Sequence, residues 1–183
     1  MKPSADIKKQ PARDFLLSMR YSNLLVAGIL AIIQPQLFLA GMRAFTTLMK
    51  SNGLVNEEEA MHSALDLWGN PFSAISIISN RDTPLHRDSF GRPEWMDLLL
   101  AIGRYDHGRL ELPGLGIRFK YNHRAAMAFS GRLLLHGATC DGDRACIAYY
   151  MRDNVMNTLS IPIPQWFNVK EIDTAFAHVG DLE

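Results

Sequence analysis

The sequence predicts an α+β fold, helices first and short antiparallel strands after them. Three observations carry this. Apolar residues recur at helical spacing between Asp14 and Lys50. From Trp68 onward the period shortens to two, with β-branched residues in brief runs parted by Gly, Pro, Asn and Asp. The 183 residues are 48% hydrophobic and 21% charged, enough apolar surface for a core and too little charge for a disordered chain.

Residues 1–11 carry Lys2, Lys8, Lys9 and two prolines and read as a loose leader. Leu24, Leu25, Ile29, Ile32 and Ile33 form one broad apolar stripe of a buried helix. Pro35 breaks it, and Leu37 to Met49 restarts it. Asn56 followed by Glu57, Glu58 and Glu59 reads as an N-cap with an acidic first turn, Glu59 closing a capping box, for a helix to about Leu67. Strands are expected at Phe72–Ser79, Trp95–Ile102, Arg109–Leu112, Ile117–Phe119, Ala125–Phe129, Arg132–His136 and Arg144–Met151. Trp95 and Leu98 to Leu100 read as core. Helices followed by strands place the helices as support for a sheet system, and so many short strands suggest a sandwich or jelly roll. No internal repeat, linker or low-complexity tract interrupts the chain, so residues 1–183 read as one domain.

Lys+Arg and Asp+Glu are 19 each, so no whole-molecule basic field exists and any nucleic-acid contact must be local. One stretch qualifies: Arg104, Arg109, Arg118, Lys120 and Arg124 outnumber Asp106 and Glu111, with Tyr105, Phe119 and Tyr121 interleaved. It is either a phosphate-facing strip or solvated strand edges. Cys140 and Cys146 are too few for a disulfide scaffold and are spaced unlike a zinc pair, so they read as ordinary thiols. His107 and His123 read as surface residues in turns. The apolar run Asn23–Ile33 falls short of the about 20 residues that span a bilayer, so no membrane role and an intracellular location are expected.

The chemistry concentrates at Thr83-Pro84-Leu85-His86-Arg87-Asp88. Residues two apart in an extended segment point the same way, so His86 and Asp88 can aim an imidazole and a carboxylate at one point. Leu133-Leu134-Leu135-His136 places a second histidine at the end of an apolar strand. Two histidines and one carboxylate can occupy a face of an octahedron and leave positions open, which suits non-haem Fe(II). Arg144, opening the next strand, offers a planar fork that matches a carboxylate. A dicarboxylate chelating the metal at one end and meeting Arg144 at the other fits; 2-oxoglutarate is such a molecule.

The order H-x-D, His, Arg resembles the Fe(II)/2-oxoglutarate-dependent dioxygenases. Asp106–Leu112 resembles that family's Gly-x-Leu turn and strand, and Met127–Gly137 its Phe-x-Gly strand pair leading to the distal histidine. Asn80-Arg81-Asp82-Thr83-Pro84-Leu85-His86-Arg87-Asp88, with Trp68 and Phe72, is similar to the HRD form found in the TET/JBP group, and most of all to its fungal transposon-associated members.

The resemblance implies a double-stranded β-helix, a jelly-roll barrel buttressed by the N-terminal helices. On that division residues 1–70 are helical support, 71–160 the β-helix core and 161–183 a C-terminal tail. It implies His86, Asp88 and His136 as Fe(II) ligands and catalytic residues, Arg144 as the 2-oxoglutarate anchor and dioxygen as co-substrate. Cys146 stands where a hydroxyl residue often assists, and Asn80 braces the cofactor or the motif loop. Tyr150 fits an aromatic position that stacks on a flipped base; Arg152 replaces the expected histidine, and Gly91, beside Phe90, falls where a polar base contact is found. The implied activity is oxidation of a methylated base in DNA, foremost 5-methylcytosine to 5-hydroxymethylcytosine and further products, in the nucleus. A base inside a duplex must be flipped out to react. N6-methyladenine, thymine, a protein side chain or a small molecule are alternative substrates, and a non-catalytic jelly-roll binding module is a third reading.

Overall fold

A computed structural model describes residues 2–50, 56–166 and 168. The chain divides into two compact units, residues 1–71 with 158–183, and residues 72–157. Most of the expected C-terminal tail, 161–183, lies outside the described residues.

The first unit holds four helices: α1 (Gln10–Ser18), α2 (Arg20–Ile33), α3 (Pro35–Lys50) and α4 (Glu58–Trp68). The expected loose leader is ordered instead, as a 3-10 turn at Asp6–Lys8 and then α1, which Pro11 helps to start. The single pattern from Asp14 onward is two helices that meet at a 61° bend. Pro35 does not only end α2. It is the first residue of α3, where its fixed φ suits a helix start and its missing N–H is not needed.

α2 packs on α3, and α1 on α4. Leu37, Ala40, Ala44 and Leu48 bury one stripe of α3. In α2 the buried face is Asn23, Val26 and Leu30, whereas Leu24, Leu25 and Ile32 of the expected stripe are exposed. The apolar residues surround this helix, so periodicity alone does not choose its inner face. The expected capping box is absent: α4 is preceded by Glu57 in the left-handed region, with no side-chain cap, and Lys8 pairs with the Glu57 carboxylate. No single helix among the described residues is long and apolar enough to cross a membrane.

The second unit is built from β1 (Ala74–Ser79), β2 (Thr83–His86), β3 (Asp97–Leu112), β4 (Ile117–Lys120), β5 (Ala126–Phe129) and β6 (His136–Tyr150), followed by the short helix α5 (Asp153–Thr158). Every pairing is antiparallel. β3 and β6 are 16 and 15 residues long and each serves two four-stranded layers. In one layer β1 pairs with residues 145–150 of β6, which pair with the first half of β3, which pairs with β5. In the other, β2 pairs with the start of β6, which pairs with residues 109–111 of β3, which pair with β4. This is the double-stranded β-helix, with the orders β1-β6-β3-β5 and β2-β6-β3-β4.

The strands pass between layers at glycines. Gly103 and Gly142 hold φ of 130° and 108°, and a Cβ on Gly103 would stand 2.1 Å from the Asp143 carbonyl oxygen. The expected strands Trp95–Ile102 and Arg109–Leu112 are therefore one strand, and Arg144–Met151 continues the strand begun at His136. Arg132–His136 is not a strand: Leu133 and Leu134 donate their N–H groups to the Ser130 carbonyl in a tight turn, and His136 opens β6. Ala101, Leu110, Leu112, Tyr121, Phe129 and Ala138 form the core between the layers.

Candidate metal centre

β2 and β6 place the two histidines opposite each other as register partners. Their ring centroids lie 4.2 Å apart, and His86 Nε2 is 3.4 Å from Asp88 Oδ1. One ligand atom from each of His86, Asp88 and His136 falls within 4.8 Å of the others. Two donors bound cis to one metal at about 2.1 Å sit roughly 3 Å apart, so small side-chain rotations close the three around an ion.

Each imidazole is oriented by its own strand. His86 Nδ1 bonds the Pro84 carbonyl at 2.9 Å, and His136 Nδ1 bonds the Leu134 carbonyl at 3.0 Å. A carbonyl only accepts, so each Nδ1 carries the proton and each Nε2 keeps a free lone pair. His136 is buried and Phe129 meets its ring edge-on, centroids 4.9 Å apart. Burial, with His86 alongside, lowers its pKa against the raising effects of the Leu134 carbonyl and Asp88, which favours the neutral imidazole that a ligand must be. His86 and Asp88 are only part-buried, so the centre faces outward on one side.

Asp88 is held by a turn that sequence reasoning missed. Its N–H donates to the Gly131 carbonyl at 3.0 Å, and the Gly131 N–H donates to Asp97 Oδ2 at 3.1 Å. A Cβ on Gly131 would meet Asp88 Oδ2 at 2.2 Å. Burial, and then the charge of Asp88, push Asp97 up to about 7. Arg132 Nη1 donates to the Asp88 carbonyl at 3.3 Å, and Arg87 Nε to the Leu133 carbonyl at 3.1 Å. The legible signal was Asp97 itself, a carboxylate opening the apolar run Leu98-Leu99-Leu100.

Arg144 is 2% exposed. Its Nη2 donates to the Arg81 carbonyl at 2.8 Å, while its buried Nε has no hydrogen-bond partner. Asn80, in a left-handed conformation, accepts the Arg144 N–H on Oδ1 at 2.9 Å and donates its own N–H to the Arg144 carbonyl at 2.7 Å. The guanidinium lies 5.8 Å from the centroid of the buried Tyr121 ring, and Tyr121 bonds Cys146 Sγ at 3.4 Å. Tyr121 and Phe129 belong to one core cluster, which thus links the surroundings of Arg144 to those of His136.

The fit to the implied groups is good. Three donors of nitrogen and carboxylate type suit Fe(II). A buried guanidinium N–H without an acceptor suits an incoming carboxylate.

The residues expected to meet a substrate lie elsewhere on the same unit. Alternation puts Arg144, Cys146, Ala148 and Tyr150 on one face of β6. Tyr150 OH bonds Ser76 Oγ at 3.0 Å, and the Arg152 guanidinium lies 5.7 Å from the Tyr150 ring centroid. Gly91 lies near Arg132, and Phe90 is 87% exposed. No hydrogen bond, ion pair or ring contact joins Tyr150 or Arg152 to His86, Asp88 or His136 among the described residues. Of the interleaved aromatics of the basic stretch, Tyr121 is buried, Tyr105 donates its OH to the Tyr121 carbonyl at 2.8 Å, and Phe119 is part-buried.

The family model for Tet_JBP, the oxygenase domain of the 2OGFeDO superfamily, matches residues 2–153. Among solved structures, NgTET1 in complex with 5mC DNA is similar, with a TM-score of 0.58 at 15% identity. The match covers 93% of this chain and 61% of that one, so the chain spans less than two thirds of that protein's length. No curated protein sequence matches it.

Proposed function

Since the chain belongs to the Tet_JBP oxygenase-domain family of the 2OGFeDO superfamily, we propose that it is an Fe(II)- and 2-oxoglutarate-dependent dioxygenase that oxidises 5-methylcytosine in DNA. The observation that carries the reading is the His86–Asp88–His136 cluster within 4.8 Å, in a chain that also buries an Arg144 N–H with no acceptor. The NgTET1 structure contains 5mC DNA, which supports a methylated base as substrate; a nuclear location is part of the same proposal.

When bound, Fe(II) and 2-oxoglutarate use dioxygen to oxidise a substrate C–H bond, with release of succinate and carbon dioxide. The chain's own residues prepare the site. His86 and His136 present Nε2 because backbone carbonyls fix the Nδ1 protons. Asp88 supplies the third donor, and the Gly131 turn fixes its reach. Arg144 offers the far carboxylate a charged fork away from water. Tyr150, on the Arg144 face of β6, supplies the stacking ring for a flipped base, with Phe90 and Gly91 at the loop beyond Asp88. Arg152 offers that base a charged donor.

The test is one reaction of protein, Fe(II), 2-oxoglutarate and 5-methylcytosine DNA, with succinate and digested nucleosides read by mass spectrometry. Succinate together with 5-hydroxymethylcytosine or further oxidised cytosines is the expected result. Succinate with every base unchanged would remove 5-methylcytosine as substrate and turn the search to thymine and N6-methyladenine. Folded protein that bound no Fe(II) would overturn the metal assignment itself.

A further inference from the structure

A second built feature lies on the β3–β4 ribbon, sharing no residue with the metal centre. Pairing of β3 with β6 slips between Asp106 and Arg109. Within the slip His107 holds φ of 52°, a left-handed conformation uncommon outside glycine. Gly108 admits no side chain, because a Cβ would stand 2.1 Å from the Tyr121 carbonyl oxygen, whose own N–H donates to the Gly108 carbonyl at 2.7 Å. Such a bulge gives up ladder bonds and re-aims side chains. Gly108 is buried against Tyr121, while the side chains of His107 and Arg109 are exposed. The bulge opens a cavity of about 380 Å³ whose wall includes Asp106, His107, Arg109, Arg118, Lys120 and Asn122.

The charges on the wall say what enters. Arg109 and Lys120 are direct cross-strand partners. Like charges so placed repel, yet neither forms an ion pair among the described residues, and the neighbouring Glu111 is already paired with Arg118 at 2.8 Å. Asn122 Oδ1 is buried without a hydrogen-bond partner, a state that native structures seldom leave unmet. That oxygen is closed to a ligand as it is to solvent, so the charged pair alone defines what the wall can bind. With Arg118 neutralised by Glu111, Arg109 and Lys120 face Asp106 alone on this wall and leave it net positive.

We propose that this cavity docks a backbone phosphate of nucleic acid between Arg109 and Lys120. The inference deepens the DNA reading above and rests on it. A phosphate contact positions a duplex without reading bases, so it acts alike on methylated and unmethylated DNA.

The test is fluorescence anisotropy of the full chain with labelled duplex DNA, methylated and unmethylated, across 50–200 mM KCl. For Arg109→Ala with Lys120→Ala, the slope of log affinity against log salt should flatten by about 2. The wild-type advantage over that variant should then shrink about tenfold between the two salt extremes, equally on both duplexes. Arg109→Lys with Lys120→Arg should keep the wild-type slope, and so should Arg20→Ala with Arg43→Ala, which removes the same charge from exposed helical positions. An alanine pair that keeps the wild-type slope would overturn the proposal. So would equal flattening by the Arg20/Arg43 pair, which would mean a diffuse charge effect, or a wild-type protein that binds no DNA at any salt. Salt slopes as expected with no base oxidised would leave the dock standing and remove only the substrate assignment.

Discussion

Gly131→Ala should cost the protein its metal while leaving its fold. The added Cβ would stand 2.2 Å from Asp88 Oδ2 and 2.7 Å from Asp97 Oδ2. Non-bonded carbon atoms settle at about 3.5 Å or beyond and carbon–oxygen pairs slightly closer, so the Asp88 oxygen must retreat by roughly 1 Å. The backbone cannot readily slide instead. The Gly131 carbonyl holds the Asp88 N–H at 3.0 Å, and the Gly131 N–H is held by Asp97 at 3.1 Å. Metal–ligand distances tolerate about 0.2 Å, so a 1 Å displacement takes the carboxylate off the ion. Loss of a group that orients a ligand lowers metal affinity by about 10- to 100-fold, which is about 1.4–2.7 kcal/mol. Titration calorimetry with Mn(II) or Ni(II), redox-stable stand-ins for Fe(II), measures this directly, and a thermal melt checks the fold. Gly91→Ala is the matched control, because a Cβ there meets nothing closer than Arg132 Cβ at an ordinary 3.7 Å. Gly131→Ala protein that melts normally and binds Mn(II) within twofold of wild type would refute the claim that this turn fixes a ligand.

Arg144→Ala should raise the 2-oxoglutarate concentration needed for half-maximal succinate formation, with Arg144→Lys falling between, because lysine keeps the charge and loses the fork. An unchanged requirement in both would place the anchor elsewhere. Asp97, raised from 3.8 to about 7, holds a proton in the folded chain over a range where the unfolded chain has lost it. Its contribution to stability is full below pH 4 and is lost as pH climbs through 7. Metal-free Asp97→Asn protein should therefore lose less melting temperature than wild type between pH 5 and 8, a difference on the order of a few kcal/mol at the upper end; parallel pH profiles would sink this account. Gly103→Ala forces a Cβ to 2.1 Å from the Asp143 carbonyl at a φ of 130°. It should cost at least about 2 kcal/mol by denaturant melt, and an unchanged midpoint would mean that the corner yields.

The metal ligands were legible because their chemistry is local. H-x-D in an extended segment orients two donors whatever surrounds it, and His86 and Asp88 are where that rule puts them. The sheet was legible in composition but not in punctuation. Gly103 and Gly142 look like turn residues in the sequence, yet each lets one strand pass from layer to layer without ending. The turn at Leu133–Leu135 reads as a strand because three leucines carry no turn chemistry; backbone bonds to Ser130 impose it. In α2 the inner face was hidden for the opposite reason. Leu24, Leu25 and Ile32 are as apolar as Val26 and Leu30, so sequence could not say which side is buried. The structural Asp97–Gly131–Asp88 chain was out of reach because it joins three distant segments through backbone groups that no side-chain pattern reports.

The two halves of the site are specified by different means. Each histidine is aimed by the carbonyl two residues before it in its own chain, Pro84 for His86 and Leu134 for His136, and the pair is set by the register of β2 on β6. Pro84 is tolerated there because β2 pairs with β6 alone, an edge position where a missing N–H is not costly. Side chains elsewhere can change freely while register and carbonyls hold, which is how 15% identity to NgTET1 is compatible with a shared fold at a TM-score of 0.58. The residues proposed to meet the substrate are aimed by side-chain contacts added to their backbone pairing. Tyr150 pairs with Ala74 in the sheet and its OH bonds Ser76, the Arg152 N–H donates to Ser73 Oγ at 2.7 Å with its guanidinium against the Tyr150 ring, and Phe90 stands in solvent. On the proposed reading, single substitutions there should change substrate preference without disturbing metal binding. Arg152 and Gly91 are therefore the positions to exchange when specificity is mapped, and His86, Asp88 and His136 are the ones whose loss should abolish turnover on every substrate.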